Sequence, residues 1–141
     1  MSGIIQFRYN NVNYRLKNIK QVKECLVSIF ASEGYVLDKL LFIFCNDSYL
    51  LDLNIKYLEH DTFTDILTFG LSENGEPIEA EIYISVERVM ENAVSYQSTI
   101  SQELKRVLIH GILHLCGYKD HEKSDVLKMR EKEEYYLSRF L

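Results

Sequence analysis

The stretch that most restricts the fold of this chain is QELKRVLIHGILHLCG, from Gln102 to Gly117. Its apolar residues recur with helical spacing, and His110 and His114 stand four residues apart among them. At 3.6 residues per turn, two such side chains lie about 40° apart on one helix face, one turn apart in height. A helix this apolar buries most of its surface against other elements. The stretch therefore predicts a central helix that directs two imidazoles toward one point.

The residues after this helix predict a metal site. Gly117 can end the helix with a left-handed residue, and the chain can then turn back so that His121 becomes a third ligand. Imidazole nitrogens bind zinc at about 2.0–2.1 Å, and three protein ligands leave a position open for water, as in catalytic sites. A pair of histidines four apart is by itself often two ordinary surface or core residues. The glycine stop and the third histidine favour a metal held by His110, His114 and His121.

Two neighbours of these histidines receive other roles. Cys116 lies six residues after His110, about 240° around the helix, and is predicted to be a small buried apolar residue. Asp120 is expected to orient a ligand histidine through a hydrogen bond.

The rest of the sequence predicts an α+β fold in one domain, residues 1–141, with a small mixed four-stranded sheet packed against about five helices. Strands and helices mix without regular alternation. IIQFRY and VNYRL around Asn10-Asn11 are typical of a hairpin. The other predicted elements are a helix from Asn18 to Gly34, a strand at Leu40–Cys45, a short helix through Tyr57, the strands ILTFGL and EAEIYIS, a helix capped by Ser85, and a helix from about Ser124 to Phe140.

Composition narrows the functional classes. The 141 residues carry a formal net charge of −5, which argues against generic electrostatic binding to nucleic acid and gives no reason to expect a DNA partner. The three cysteines form neither a CxxC pair nor a disulfide framework. No apolar run is long enough to span a bilayer, so no membrane partner is expected. These features predict a cytoplasmic protein.

Three motifs resemble those of a known family. HGILHLCGYKDH resembles the HGxLHLxGYDH signature of the YbeY family, bacterial rRNA maturation factors described as single-strand-specific endoribonucleases. Lys119 is interpreted as an insertion, which leaves His121 as the third ligand, or Asp120 if the loop takes another path. LNIKYLEHDTFTDILTF resembles the family segment LNxxYRxxDxxTDVLSF, and AEIYIS resembles the strand GDIxIS.

The resemblance implies a zinc-dependent endoribonuclease with one Zn²⁺ ion. It would act on single-stranded rRNA at the 3′ end of the small-subunit rRNA, serve ribosome quality control, and have the small ribosomal subunit as partner. Asp65 is the candidate base or water-positioning residue, and Glu103 is a weaker candidate. Asn54, Tyr57 and Thr64 are candidates for binding substrate. Leu58 stands where the family has an arginine expected to hold RNA phosphate.

Several alternatives remain open at this point. Asp65 is equally well explained as a residue that braces the start of a strand, and Tyr57 as a residue of the core. The chain as a whole can also be interpreted as a non-catalytic ribosome assembly factor with a structural zinc. A third interpretation is a zinc peptidase, because the spacing is similar to HExxHxxGxxH. The weakness of that interpretation is Gly111, which stands where those enzymes carry the glutamate base.

Overall fold

The computed structural model describes residues 3–58 and 64–140, apart from the side chain of Leu58. The chain forms four strands and five helices within these ranges. Their bounds are β1 Ile4–Tyr9, α1 Ile19–Ser32, β2 Leu37–Cys45, α2 Asp47–Leu58, β3 Ile66–Gly70, β4 Ile78–Ser85, α3 Val86–Ser95, α4 Ile100–Leu115 and α5 Lys123–Leu137. None of the helices in the described ranges has the length and apolar character needed to cross a membrane.

The sheet is mixed, as the sequence predicted. Its strand order is β1-β2-β4-β3, with β1 parallel to β2, β2 parallel to β4, and β3 antiparallel to β4. The predominantly apolar β2 and β4 lie in the middle, where both faces of a strand are covered. Most of the core lies between one face of this sheet and helices α1 and α4, and a smaller cluster of Cys45, Leu50 and Leu67 lies on the other face.

The predicted hairpin at Asn10-Asn11 is wrong. β1 pairs in parallel with β2, and the segment after it, residues 12–16, is not a strand. Hydrogen bonds to side chains of this segment and of β1 replace the backbone hydrogen bonds that a hairpin would form. The Arg15 guanidinium donates to the carbonyls of Val12 and Tyr14, and the Leu16 amide donates to the Tyr9 hydroxyl at 3.0 Å. The segment therefore folds over Tyr9, with Arg15 stacked on its ring.

Helix α4 is central, as its composition predicted. It contacts α1, α3, α5, β3 and β4, and half of its sixteen residues are buried. Gly111 is the point of closest approach to the sheet, because a Cβ atom there would lie 2.9 Å from Cδ1 of Ile82 and 3.0 Å from Cδ1 of Ile66. Position 111 thus faces the apolar sheet, which leaves no room for the glutamate base that a peptidase of the HExxH type needs.

Candidate metal centre

The end of α4 fixes the two histidines. Gly117 has a φ of 93°, and the amides of Gly117 and Tyr118 donate to the carbonyls of His114 and Leu113, both at 3.0 Å. This pair of hydrogen bonds is the Schellman motif. The motif requires a left-handed residue, a conformation that glycine adopts without steric cost. The chain reverses sharply after the last turn of α4. The residues that follow are thereby brought back beside His110 and His114.

Three potential ligand atoms converge at this reversal. Nε2 of His110 and Nε2 of His114 are 3.0 Å apart, and Oδ2 of Asp120 lies 3.6 Å from the first and 3.3 Å from the second. Tetrahedral zinc with bonds of about 2.0–2.1 Å separates its ligands by about 3.3–3.4 Å. The three separations bracket this value. A single ion can therefore contact all three atoms after only small movements.

The hydrogen bonds on the far side of each ring determine which nitrogen is available for a cation. Nδ1 of His110 lies 2.6 Å from Oε2 of Glu133, and Nδ1 of His114 lies 3.0 Å from the carbonyl of Tyr118. Both partners accept, so the neutral rings carry their hydrogens on Nδ1, a tautomer assigned from these acceptors. Two Nε2 lone pairs then face each other beside a carboxylate oxygen. This donor set fits a divalent cation.

The structure brings Asp120, and not His121, to the two histidines. Within the described residues, the cluster that can hold a metal consists of His110, His114 and Asp120, and His121 is an exposed residue outside it. The number of residues between the second glycine and the third ligand explains why Asp120 takes this place. The third histidine of the HGxLHLxGYDH signature is three residues after its second glycine, and the residue three after Gly117 is Asp120. No insertion is then needed, and Lys119 replaces the aspartate of the signature.

Glu133 of α5 holds His110 in place. Its carboxylate is only 5% exposed and lies 3.5 Å from the Arg106 guanidinium, which also pairs with Glu103 at 3.7 Å and Glu134 at 2.7 Å. Burial lowers the pKa of His110, but the hydrogen bond and charge of Glu133 outweigh it, so the pKa is raised in the metal-free protein. Glu133 thus orients the ring and makes it more basic. Sequence reasoning missed this residue because it is 23 residues away along the chain.

A second set of contacts holds His114. The carbonyl that accepts from it belongs to Tyr118, whose hydroxyl donates to Oε1 of Glu33 at 2.8 Å. Glu33, at the end of α1, also accepts from Lys132 at 3.2 Å and from Tyr136. Burial raises the pKa of the Glu33 carboxyl, but these three donors outweigh it and lower the pKa below its ordinary value. The end of α1, the loop after α4 and helix α5 are therefore tied together behind the site.

A cavity of about 490 Å³ opens beside the cluster, between α3, α4 and α5. His110, Asp120 and Asp65 line it. Asp65 precedes β3, where its carbonyl accepts from the Ser85 amide at 2.9 Å and its carboxylate accepts from Asn92 at 3.3 Å. Burial raises the pKa of the Asp65 carboxyl, and this effect exceeds the opposing charge of His110. Asp65 both braces the strand and presents a carboxylate to the cavity.

The remaining predicted residues are distributed differently. Glu103 lines the cavity but is buried and paired with Arg106. Asn54 is buried, and Thr64 is partly buried, with its hydroxyl 3.4 Å from the carbonyl of Ile66. Tyr57 is 58% exposed and packs edge-on against Phe69. None of Asn54, Tyr57 and Thr64 is among the described residues that line the cavity. The side chain of Leu58 lies outside the described residues.

The fold and the site together define a class: an α+β protein in which two histidines of the central helix and an aspartate of the following loop form a cluster that could hold a metal ion, beside a cavity. Comparison with known proteins identifies the family. The model of the family described as endoribonuclease YbeY matches residues 5–141, and the chain belongs to this family.

Relatives and a solved structure agree with this assignment. The proteins named endoribonuclease YbeY from Amoebophilus asiaticus and Flavobacterium psychrophilum are 43% and 42% identical to the chain, and the matches cover 94% and 97% of it and 90% and 96% of the relatives. The solution structure of TM1509 from Thermotoga maritima is 31% identical, with a TM-score of 0.67 over 97% of this chain and 89% of that one. The fold described above is therefore that of a known family.

Proposed function

We propose that the chain is a zinc-dependent, single-strand-specific endoribonuclease that acts in rRNA maturation. The observation that carries this proposal is the convergence of His110, His114 and Asp120 beside a cavity that is also lined by Asp65. The names of the relatives, which describe endoribonucleases, support the choice of RNA as substrate. In that role the chain needs a Lewis acid, a group that handles a proton, and a surface for the phosphodiester.

We assign the metal to His110, His114 and Asp120, with one Zn²⁺ ion. When bound, the ion polarises a phosphoryl oxygen and lowers the pKa of a coordinated water toward about 7. A set of two imidazoles and one carboxylate is found in catalytic zinc sites, which keep a position open for water. Glu133 and the Tyr118 carbonyl keep both Nε2 atoms directed at the same point. His121, the ligand expected from the sequence, is the alternative that the experiment below tests.

We assign Asp65 the role of general base, the group that accepts a proton from the attacking water. A carboxyl with a raised pKa is a better base near neutral pH than an ordinary one, because general bases work best when their pKa lies near the working pH. The Asn92 amide donates to one carboxylate oxygen and fixes the plane of the group. Asp65 would orient the attacking water and accept its proton. Asn54, Tyr57 and Thr64 remain predictions as substrate-binding residues, and none of the three is among the described residues that line the cavity.

The cellular setting follows from the same proposal. Small-subunit rRNA near its 3′ end is the expected substrate, the small ribosomal subunit the expected partner, and ribosome quality control the expected process. A cytoplasmic location is consistent with three cysteines that are all free thiols.

The proposal is tested by cleavage of a small-subunit rRNA fragment, with metal content measured on the same samples. Wild type is compared with His114→Ala, Asp120→Ala and His121→Ala, all purified identically. We expect wild type and His121→Ala to hold about one zinc per chain and to cut, and the other two variants to lose both properties. His121→Ala is the matched control, because it removes an imidazole from the same loop.

Each contrary result has a definite meaning. Loss of zinc from His121→Ala with retention in Asp120→Ala would return the third ligand to the histidine. Equal cleavage by wild type and His114→Ala would reveal a contaminating nuclease. Zinc without cleavage in the wild type would favour an assembly factor with a structural metal.

A further inference from the structure

The cavity beside the metal cluster contains two arginines, and they differ in what surrounds them. Arg106 pairs with Glu103, Glu133 and Glu134, so its charge is already neutralised by carboxylates. Arg130 lies on α5, one turn before Glu134, and its side chain is exposed. No ion pair involving Arg130 is found within residues 3–58 and 64–140. Arg130 is therefore the lining cation whose donors are available to a ligand.

The charges around Arg130 indicate an anionic ligand. The lining residues Asp65, Glu103, Asp120 and Glu133 are acidic, so an additional anion enters only where a cation offsets them. A divalent ion at the cluster offsets part of this charge at one end of the cavity. Arg130 supplies positive charge on the α5 wall. An arginine there presents a planar fork of donors that matches two phosphate oxygens.

The opposite side of the cluster has a different character. A second cavity, of about 640 Å³, borders His114 and is lined by Glu73, Glu76 and Glu79, with no lysine or arginine among its described lining residues. Glu79 is paired with Lys39 at 3.7 Å, but this side has no unpaired cation among its described lining residues, so it is the less favourable side for a phosphate. A strand that crosses the metal is therefore held by its backbone on the Arg130 side.

An aromatic ring stands on the same side. Tyr96 follows α3, lines the first cavity, and is 64% exposed. A large apolar ring left in water at the mouth of a cavity is suited to stack on an unpaired base, and such stacking is tolerant of sequence. The position of Tyr96 is fixed by its own amide, which donates to the Asn92 carbonyl at 2.9 Å, and by the cap that Thr99 provides to α4.

We propose that Arg130 and Tyr96 form a subsite for one nucleotide of single-stranded RNA, in which Arg130 binds a phosphate and Tyr96 stacks on a base. This inference rests on the proposed function and adds to it the residues that hold the strand next to the metal. The two contacts differ physically. The phosphate contact releases a condensed counterion and depends on salt, whereas the stacking contact does not.

The test measures binding of the zinc-loaded protein to a fluorescein-labelled single-stranded oligoribonucleotide at several salt concentrations, with the RNA checked for intactness after each titration. We expect Arg130→Gln to raise the Kd roughly tenfold and to reduce the slope of log Kd against log salt by about 0.7, the contribution of one phosphate contact on a single strand. Arg130→Lys keeps the charge and should restore the slope. Lys128→Gln removes an exposed charge from the same helix outside the cavity and should leave the slope unchanged.

Tyr96 is tested in the same assay. Tyr96→Leu should raise the Kd by roughly five- to a hundredfold at every salt concentration without changing the slope, and Tyr96→Phe should bind like the wild type.

The outcomes separate this inference from the proposed function. If wild type binds and cuts RNA while Arg130→Gln has the slope of Lys128→Gln, the phosphate contact is refuted and the endoribonuclease assignment stands. If Tyr96→Leu binds like the wild type, the stacking contact is refuted. A wild type that neither binds nor cuts single-stranded RNA overturns the proposed function together with this subsite.

Discussion

Replacement of Glu133 by glutamine tests how the metal centre is built. Glutamine keeps the size of the side chain and an oxygen that can accept from Nδ1 of His110, but it removes the charge. The contact that changes is a 2.6 Å bond to a carboxylate that is only 5% exposed, so solvent screens it little. Hydrogen bonds to charged groups contribute about 1.5–3 kcal/mol. Because 1.4 kcal/mol corresponds to a factor of ten, zinc affinity should fall about ten- to a hundredfold.

The assay is competition between the protein and a zinc indicator, at a pH well above the pKa of His110. This condition matters because Glu133 has two opposite effects. Its charge strengthens the bond of the neutral imidazole to a cation, but it also raises the pKa of His110, so protons compete with the metal at higher pH. Glu133→Gln removes both effects. The zinc affinity of Glu133→Gln should therefore be clearly lower than that of the wild type at high pH. The difference in zinc affinity between the two proteins should become smaller as the pH decreases.

A matched control is the neighbouring Glu134→Gln. Glu134 also pairs with Arg106, at 2.7 Å, but it is largely exposed and makes no contact with His110. Urea unfolding in the presence of a chelator measures what each change costs the metal-free fold. Zinc affinity of Glu133→Gln within about twofold of wild type, or an equal loss in Glu134→Gln, would refute the idea that Glu133 supports the metal through His110.

Three further predictions concern other parts of the molecule. Asp65→Asn should keep its zinc and lower kcat by about 10²–10⁴-fold, and a kcat equal to wild type in single-turnover cleavage would exclude Asp65 as the base. Glu33→Gln should reduce the free energy of unfolding at neutral pH by about 1–3 kcal/mol. The pKa of Glu33 is lowered from 4.5 in the folded protein, so the stability that Glu33 contributes is present above pH 4.5. This stability is lost as the pH falls through the lowered pKa. The urea midpoints of the variant and the wild type should therefore converge in acid. Gly111→Glu should lower the free energy of unfolding by at least about 3 kcal/mol and create no peptidase activity, because the new carboxylate meets Ile82 and Ile66. The control is Gly70→Ala, because a Cβ atom at position 70 meets nothing within 4 Å. This variant should unfold at nearly the wild-type urea concentration.

The sequence alone determined the features that depend on neighbouring residues. The spacing of His110 and His114 and the left-handed end at Gly117 are properties of one helix and its cap, and both predictions are confirmed. Ser85 was expected to cap a helix, and its hydroxyl accepts from the Arg88 amide at 3.2 Å. The burial of Cys116 was also predicted correctly.

The prediction of a hairpin failed because distant segments decide how β1 pairs. The hairpin around Asn10-Asn11 is locally plausible, but β1 gains a longer, apolar partner in β2, and the segment after it folds over Tyr9. His121 stays a prediction as the third ligand, because the residue that reaches the two histidines depends on the path of the loop after Gly117, where the structure places Asp120. A shift of one residue in that path separates His121 from Asp120, and turn signals in the sequence do not resolve a single residue.

The tertiary structure alone supplied the surroundings of the site. Glu133 and Arg106 belong to different helices, and Glu33 is 85 residues away from the Tyr118 hydroxyl that it accepts from. No periodicity links such residues, because their contacts arise from the packing of α1, α4 and α5 around a common core. Helical spacing determines which side chains share a face of one element. Only the packing of elements determines which carboxylate lies behind an imidazole and which arginine of the cavity forms ion pairs with carboxylates. The chemistry of this site depends on both.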